Sequence, residues 1–206
     1  MATETSRAKV APANVLRGVD WETYNRLRDH PSNGHIRMSY LDGTLILMSP
    51  ELIHDRYGRR LAMVIDEVTE ALGIFVEGIA TTTLRLSKMK RAKGTGKEPD
   101  YGFYFGQNAI RMHRRDVLNL EVDPPPDLAI EVDNTSDSEA ALPIYARLGV
   151  PEVWRYDVQA GRLWFGRLEG DSYRELTRSA CLPRLTPALV LEALAVLGEG
   201  AMGENA

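Results

Sequence analysis

Asp127–Asp157, DLAIEVDNTSDSEAALPIYARLGVPEVWRYD, has the pattern of a strand, a short helix and a second strand around which the other elements can be arranged. Leu128, Ile130 and Val132 alternate with Ala129, Glu131 and Asp133, a period-two pattern that predicts a strand with one apolar face and carboxylates on the other. Ser136 with Glu139 three residues on has the form of a capping box and opens a helix running to Leu148. Gly149 and Pro151 supply its stop. Pro143 lacks an N–H, so the helix either kinks there or begins its regular part near Leu142. Glu152–Tyr156 reads as the next strand, giving strand, short helix, strand.

Working outward, the N-terminal side carries the other long element. Ser49 and Pro50 suit a helix start. Ile53, Tyr57, Leu61, Val64, Ile65, Val68 and Leu72 then form a stripe of period 3.6 that ends at Gly73. Before it, Trp21, Tyr24 and Leu27 mark a short helix, and Ile36–Leu41 and Thr44–Met48 flank Asp42-Gly43, a pair suited to a two-residue hairpin turn. After it, Phe75–Leu86 reads as extended chain, favoured by Thr81, Thr82 and Thr83, and Tyr101–Phe105 as a strand. Gln107–Pro126 is expected to hold a short strand and an irregular loop. On the C-terminal side, turns at Gly161 and at Gly170-Asp171 separate Arg162–Leu168 from Ser172–Leu176, an antiparallel meander. An aliphatic helix, Ala188–Leu197, closes the pattern.

At 206 residues, 44% hydrophobic and 26% charged, the chain has the length and composition of one globular domain. Residues 15–197 are expected to form it, with a disordered tail at 1–14 and a frayed one at 198–206. The single cysteine, Cys181, excludes an internal disulfide and a cysteine-based zinc cluster. No apolar run approaches the roughly 18 residues of a membrane span, and no secretory signal is evident, so a cytoplasmic location is expected. The net charge of −4 gives no global attraction to nucleic acid. Contact with DNA would fall to local basic segments, Lys88–Lys97 and Arg111–Arg115.

The motif order YLDGTLILMSP (Tyr40–Pro50), His54, EPD (Glu98–Asp100), EV-D-TS and LPIYA-LGVPEVWRYD resembles the Uma-type restriction endonuclease family, a branch of the PD-(D/E)XK nuclease superfamily. The resemblance covers roughly Ile36–Leu185. It implies an α/β fold: a restriction-endonuclease-like mixed sheet flanked by helices, with an N-terminal hairpin and a C-terminal antiparallel meander. It also implies Mg²⁺-dependent hydrolysis of DNA phosphodiesters, with Mn²⁺ as the alternative ion. By the same resemblance Asp100, following Pro99, supplies the first carboxylate and Glu131 the second, and His54 matches the family's histidine.

The residues themselves narrow the set. Pro126-Asp127 imitates the Pro-Asp motif, yet Asp127 and Glu131 lie about 13 Å apart along one strand, too far for one small ion. Glu131 sits in so apolar a run that its charge demands a partner or a metal. Asp133, about 6.6 Å from Glu131 on the same face, is a candidate third ligand. The chain departs from the family's pattern at the cation. Asp133 occupies the usual lysine position, Ala141 stands where relatives often place Lys or Arg, and Ser39 where they often place glutamate. Lys97, three residues before Asp100, is the best local substitute, with Arg147 and Arg155 as outside candidates. Ala141 is expected at a partly solvated helix start with room for a long side chain. The alternative reading is a degenerate nuclease fold that binds nucleic acid or a protein partner without cleaving. A third is a homo-oligomeric scaffold, drawing on the last helix and on Trp154 and Trp164 as exposed aromatics.

Overall fold

In a computed structural model, which describes residues 14–49, 52–87, 94–134 and 138–199, alternation and helical periodicity resolve into two sheets with helices packed against them. The order is β1 (Asn14–Arg17), α1 (Trp21–Asp29), β2 (Arg37–Leu41), β3 (Thr44–Met48), α2 (Leu52–Leu72), β4 (Val76–Ala80), β5 (Leu84–Leu86) and β6 (Thr95–Lys97). It continues with β7 (Tyr101–Phe105), α3 (Gly106–Met112), β8 (Leu128–Asp133), α4 (Leu142–Leu148), β9 (Glu152–Asp157), β10 (Arg162–Glu169), β11 (Ser172–Leu176) and α5 (Pro187–Glu199). Pro50, Ser136 and Lys88–Met89–Lys90–Arg91, which figure in the expectations above, lie outside the described residues.

The larger sheet runs β11-β10-β9-β8-β7-β4. It is mixed, because β8 and β9 are parallel while the other pairs are antiparallel. The crossover between the parallel pair is a 3₁₀ turn at Ser138–Ala141 followed by α4, whose regular part starts at Leu142, one residue before Pro143. Proline is tolerated there because the first helical N–H groups have no intrahelical acceptor. Gly149, at φ 78°, closes the helix in the left-handed conformation.

Alternation along β8 serves two cores. Leu128, Ile130 and Val132 pack with Leu61 and Ile65 of α2, Trp154, Phe165, and Val190 and Leu194 of α5. Ala129 on the opposite face packs with Val153, Leu84 and Ile144, Tyr145 and Leu148 of α4. Trp154 is fully buried, its ring stacked on Phe165 with centroids 4.1 Å apart, so the expectation of an exposed aromatic fails there. Its indole N–H donates to Glu152 (2.6 Å), whose other oxygen accepts from the backbone N–H groups of Ala180 and Cys181.

The N-terminal hairpin β2–β3 belongs to a second, antiparallel sheet, β1-β3-β2-β6-β5. Asp42 and Gly43 both take positive φ, as a primed hairpin turn requires, and Arg147 of α4 ties Asp42 down at 2.7 Å. Phe75–Leu86 is not one extended run. The chain breaks at Thr81 (φ 57°), leaving β4 in the larger sheet and β5 in the smaller. The return crossing is Glu98-Pro99-Asp100, between β6 and β7. Gln107–Pro126 also departs from expectation, because its first part is the helix α3. The Asp127 carboxylate accepts from the Phe105 N–H at 2.8 Å and the Asn108 amide at 2.7 Å, anchoring the start of α3. No helix among the described residues is long and apolar enough to cross a membrane.

Candidate active site

The crossing between sheets assembles the site. Antiparallel pairing of β7 with β8 matches Tyr101 to Ile130, and the Asp100 N–H donates to Ile130 O at 3.1 Å, one step beyond that pair. Asp100 therefore lies across from Glu131. One Asp100 oxygen, Oδ2, accepts from the Val132 N–H at 2.8 Å. The other, Oδ1, is 2.8 Å from Arg37 Nη1 of β2, which also donates to Pro99 O. His54, near the start of α2, brings Nδ1 to 3.9 Å from Asp100 Oδ2. Arg37 carries no sequence signal of function; it starts β2, and the pairing of β2 with β6 brings it beside the chain leaving β6 toward Asp100.

Lys97 closes the basic segment Lys88–Lys97 that the sequence offers for contact with DNA. It ends β6 and is buried, with Nζ 3.1 Å from Glu131 Oε1 and 3.2 Å from Oε2. The Tyr145 hydroxyl of α4 donates to the same carboxylate, and Lys97 Nζ lies 5.8 Å from the Tyr145 ring centroid. Tyr145 is legible in the sequence only as an apolar position of α4, so its polar end was missed. Glu98, between Lys97 and Asp100, turns away to pair with Arg28 and to accept from the Thr83 hydroxyl.

Asp133 is drawn to β9 instead, with Oδ2 3.2 Å from Arg155 Nη2. Among the described residues no group of three or more His, Cys, Asp or Glu side chains gathers as a metal cluster would. The three-carboxylate group expected of Asp100, Glu131 and Asp133 is not found among the described residues. Ala141 is also corrected. It is only 8% exposed and packs with Leu84 and Ile144, so no solvated space stands open for a long side chain.

The two carboxylates are held at different proton affinities. Burial pushes the Glu131 pKa up, and the negative charge of Asp100 adds to that, while Lys97 and the Tyr145 hydroxyl oppose it. Burial also acts to raise Asp100, but the approach of His54, the Arg37 and Lys97 charges and the Val132 N–H together bring its pKa below the ordinary value. Tyr145 is pushed well above the usual phenol range by burial and by Glu131, so it stays a proton donor. Environments that drive two acids apart in this way are typical of sites where one must stay ionised.

The second basic segment is largely neutralised locally. Arg115 pairs with Asp123 at 2.8 Å, Arg111 approaches the same carboxylate at 3.9 Å, and His113 lies 2.9 Å from Glu77.

The family model for the Uma2 putative restriction endonucleases matches residues 21–197. The chain belongs to the Uma2 family. Among solved structures, a crystal structure of a putative nuclease belonging to DUF820 from Anabaena variabilis is similar, with a TM-score of 0.53 and 15% sequence identity. The match covers 76% of this chain and 90% of that one, a likeness of fold. No curated protein matches. The Uma2 match takes in every strand but β1, and the Lys97–Asp100 crossing and β8 fall inside it.

Proposed function

We propose that the chain is a divalent-metal-dependent endonuclease that hydrolyses DNA phosphodiester bonds, with Asp100 and Glu131 as metal ligands and Lys97 as the active-site cation. The reading takes residues 15–197 as one nuclease-like domain. The observation that carries it is the Lys97–Glu131 contact beside Asp100: two carboxylates and a lysine meet although the lysine does not occupy its usual place two residues after the glutamate. Two hard carboxylates are the number Mg²⁺ commonly takes from a protein, the remaining positions going to water and substrate, so the residues present fit that ion, with Mn²⁺ as its substitute. When bound, the ion supplies a Lewis acid and makes an attacking water more acidic.

The protein's own groups supply the rest. Asp100, held ionised by Arg37 and the Val132 N–H, and Glu131, oriented by Tyr145, present fixed carboxylate oxygens. Lys97 holds positive charge where the phosphoryl oxygens gain negative charge as the new P–O bond forms and the bond to the leaving oxygen breaks. His54 stands beside Asp100, within reach of water or phosphate.

A plasmid-nicking assay in millimolar Mg²⁺ or Mn²⁺ tests the reading. Wild type is expected to convert supercoiled DNA, and Asp100→Asn, Glu131→Gln and Lys97→Met each to lower the rate by about 100-fold or more. Equal rates in wild type and all three variants would overturn it. One observation favours a second reading, binding without cleavage: each carboxylate is already engaged by protein side chains and little exposed. Gel-shift binding by a wild type that never nicks, with either ion, would select it.

A further inference from the structure

The cation that balances Glu131 faces inward. Lys97 is 3% exposed, with both Glu131 oxygens and the Tyr145 ring around it, so it meets the reacting centre from the protein side and leaves the substrate's flanking phosphates to other cations. At Asp100 the arrangement differs. Arg37 and His54, 13% and 17% exposed, are the basic side chains facing that carboxylate from β2 and α2. Arg37 commits Nη1 to Asp100 Oδ1 and Pro99 O. Its Nη2 is 3.8 Å from Asp55 Oδ1, beyond hydrogen-bond length, and that aspartate is 62% exposed. A guanidinium has five donors in a planar fork. One edge can stay on Asp100 while the other meets a phosphate in two parallel hydrogen bonds.

We propose that Arg37 is the side chain that grips the DNA phosphate next to Asp100, displacing the loose contact with Asp55. The inference rests on the nuclease reading above and names a contact that reading leaves open. The Asp100 ion pair fixes the guanidinium before substrate arrives, so little order has to be gained on binding. Arg111 and Arg115 are poorer choices, since Asp123 takes up their charge.

Fluorescence anisotropy with a labelled duplex in Ca²⁺ tests this on wild type, Arg37→Gln, Arg37→Lys and Arg174→Gln. Arg174 is an exposed control, paired with Glu169 at the far edge of the larger sheet. Loss of a charge-assisted contact should weaken binding by Arg37→Gln about tenfold. It should also flatten the slope of log K against log salt by about 0.9, the value for one lost phosphate. A purely structural role would not move that slope. Arg37→Lys should keep the slope, and Arg174→Gln should match wild type. If Arg37→Gln fails to fold, Arg37→Gln/Asp100→Asn, compared with Asp100→Asn alone, reads the same slope without an orphaned carboxylate. An unchanged slope and affinity on loss of Arg37, an equal loss in Arg174→Gln, or a wild type that does not bind the duplex would each overturn the proposal. A wild type that binds through Arg37 yet never nicks plasmid would uphold the contact and reject only hydrolysis.

Discussion

At the scale of single residues, Lys97 and Glu131 are a buried ion pair whose members depend on each other. Removing one partner of such a pair strands the other and commonly costs about 3–5 kcal/mol. Lys97→Met is therefore expected to be strongly destabilised at neutral pH, measured by urea unfolding. The pH dependence has a definite sign. Glu131 is raised above its ordinary 4.5, so the folded state holds that proton more tightly than the unfolded chain. Its contribution to stability is full below that value and is lost as pH rises toward the folded pKa. Without Lys97 the pKa climbs further. The deficit of Lys97→Met should thus be small near pH 4 and grow steadily toward pH 7; a deficit independent of pH would refute the pairing. Asp100 works in the opposite direction. Lowered below its ordinary 3.8, it stabilises above that value, and its contribution fades as pH falls through the folded pKa. In Asp100→Asn this acid-sensitive part should disappear from the wild-type profile.

At the scale of elements, β6 and α4 decide whether the site closes. β6 is three residues long, and its middle residue, Gly96, lies against the Tyr24 ring, where a Cβ would collide with the phenol hydroxyl and ring atoms. Tyr24 is fully buried and stacked on Tyr40 and Trp21, so it has little room to yield. Gly96→Ala should cost about 1–3 kcal/mol by overpacking and reduce nicking with it, because Lys97 is the next residue on the strand. Wild-type thermal stability in Gly96→Ala would show that the tyrosine moves freely. The packing of Ala141 reverses the sequence expectation for a lysine there. Ala141→Lys inserts a long charged side chain into the α4 core and should lower stability by about 1–3 kcal/mol, without raising nicking, since Lys97 already stands beside Glu131. A variant as stable as wild type and more active would mean that the start of α4 opens to solvent.

At the scale of the whole molecule, the candidate site lies where the two sheets meet, and a divalent ion held by Asp100 and Glu131 would need the folded pairing of β7 with β8. Asp100 is held by Arg37 of the smaller sheet, and Glu131 of the larger sheet by Lys97 of the smaller. An ion bound only to the folded state adds stability by mass action, about 2.7 kcal/mol at a hundredfold excess over Kd. Millimolar Mg²⁺ or Mn²⁺ should therefore raise the wild-type melting temperature and have little effect on Glu131→Gln or Asp100→Asn. Equal shifts in all three proteins would indicate ion binding elsewhere.

Much of this architecture is written in local pattern. Alternation in β8, the period-3.6 stripe of α2, Asp42-Gly43 and the Gly149 stop depend on neighbours a few residues away. Strand, helix, turn and helix end could all be read from the chain; the motif order pointed to Asp100, Glu131 and His54, and nearness to Asp100 in sequence pointed to Lys97. What local pattern cannot hold is which sheet a short strand joins. The break at Thr81 and the separate sheet around β6 come from packing between distant segments. That packing buries Lys97 against Glu131, brings Arg37 to Asp100, turns Asp133 toward Arg155 and fills the space beside Ala141. The same separation explains α3, whose start is anchored by Asp127, a residue on the far side of an irregular loop. Local pattern sets the elements and the residue types of the candidate site; the pairing of β2 with β6 and of β7 with β8, with the crossing between the two sheets, decides which charges meet, because those contacts join segments far apart in the chain.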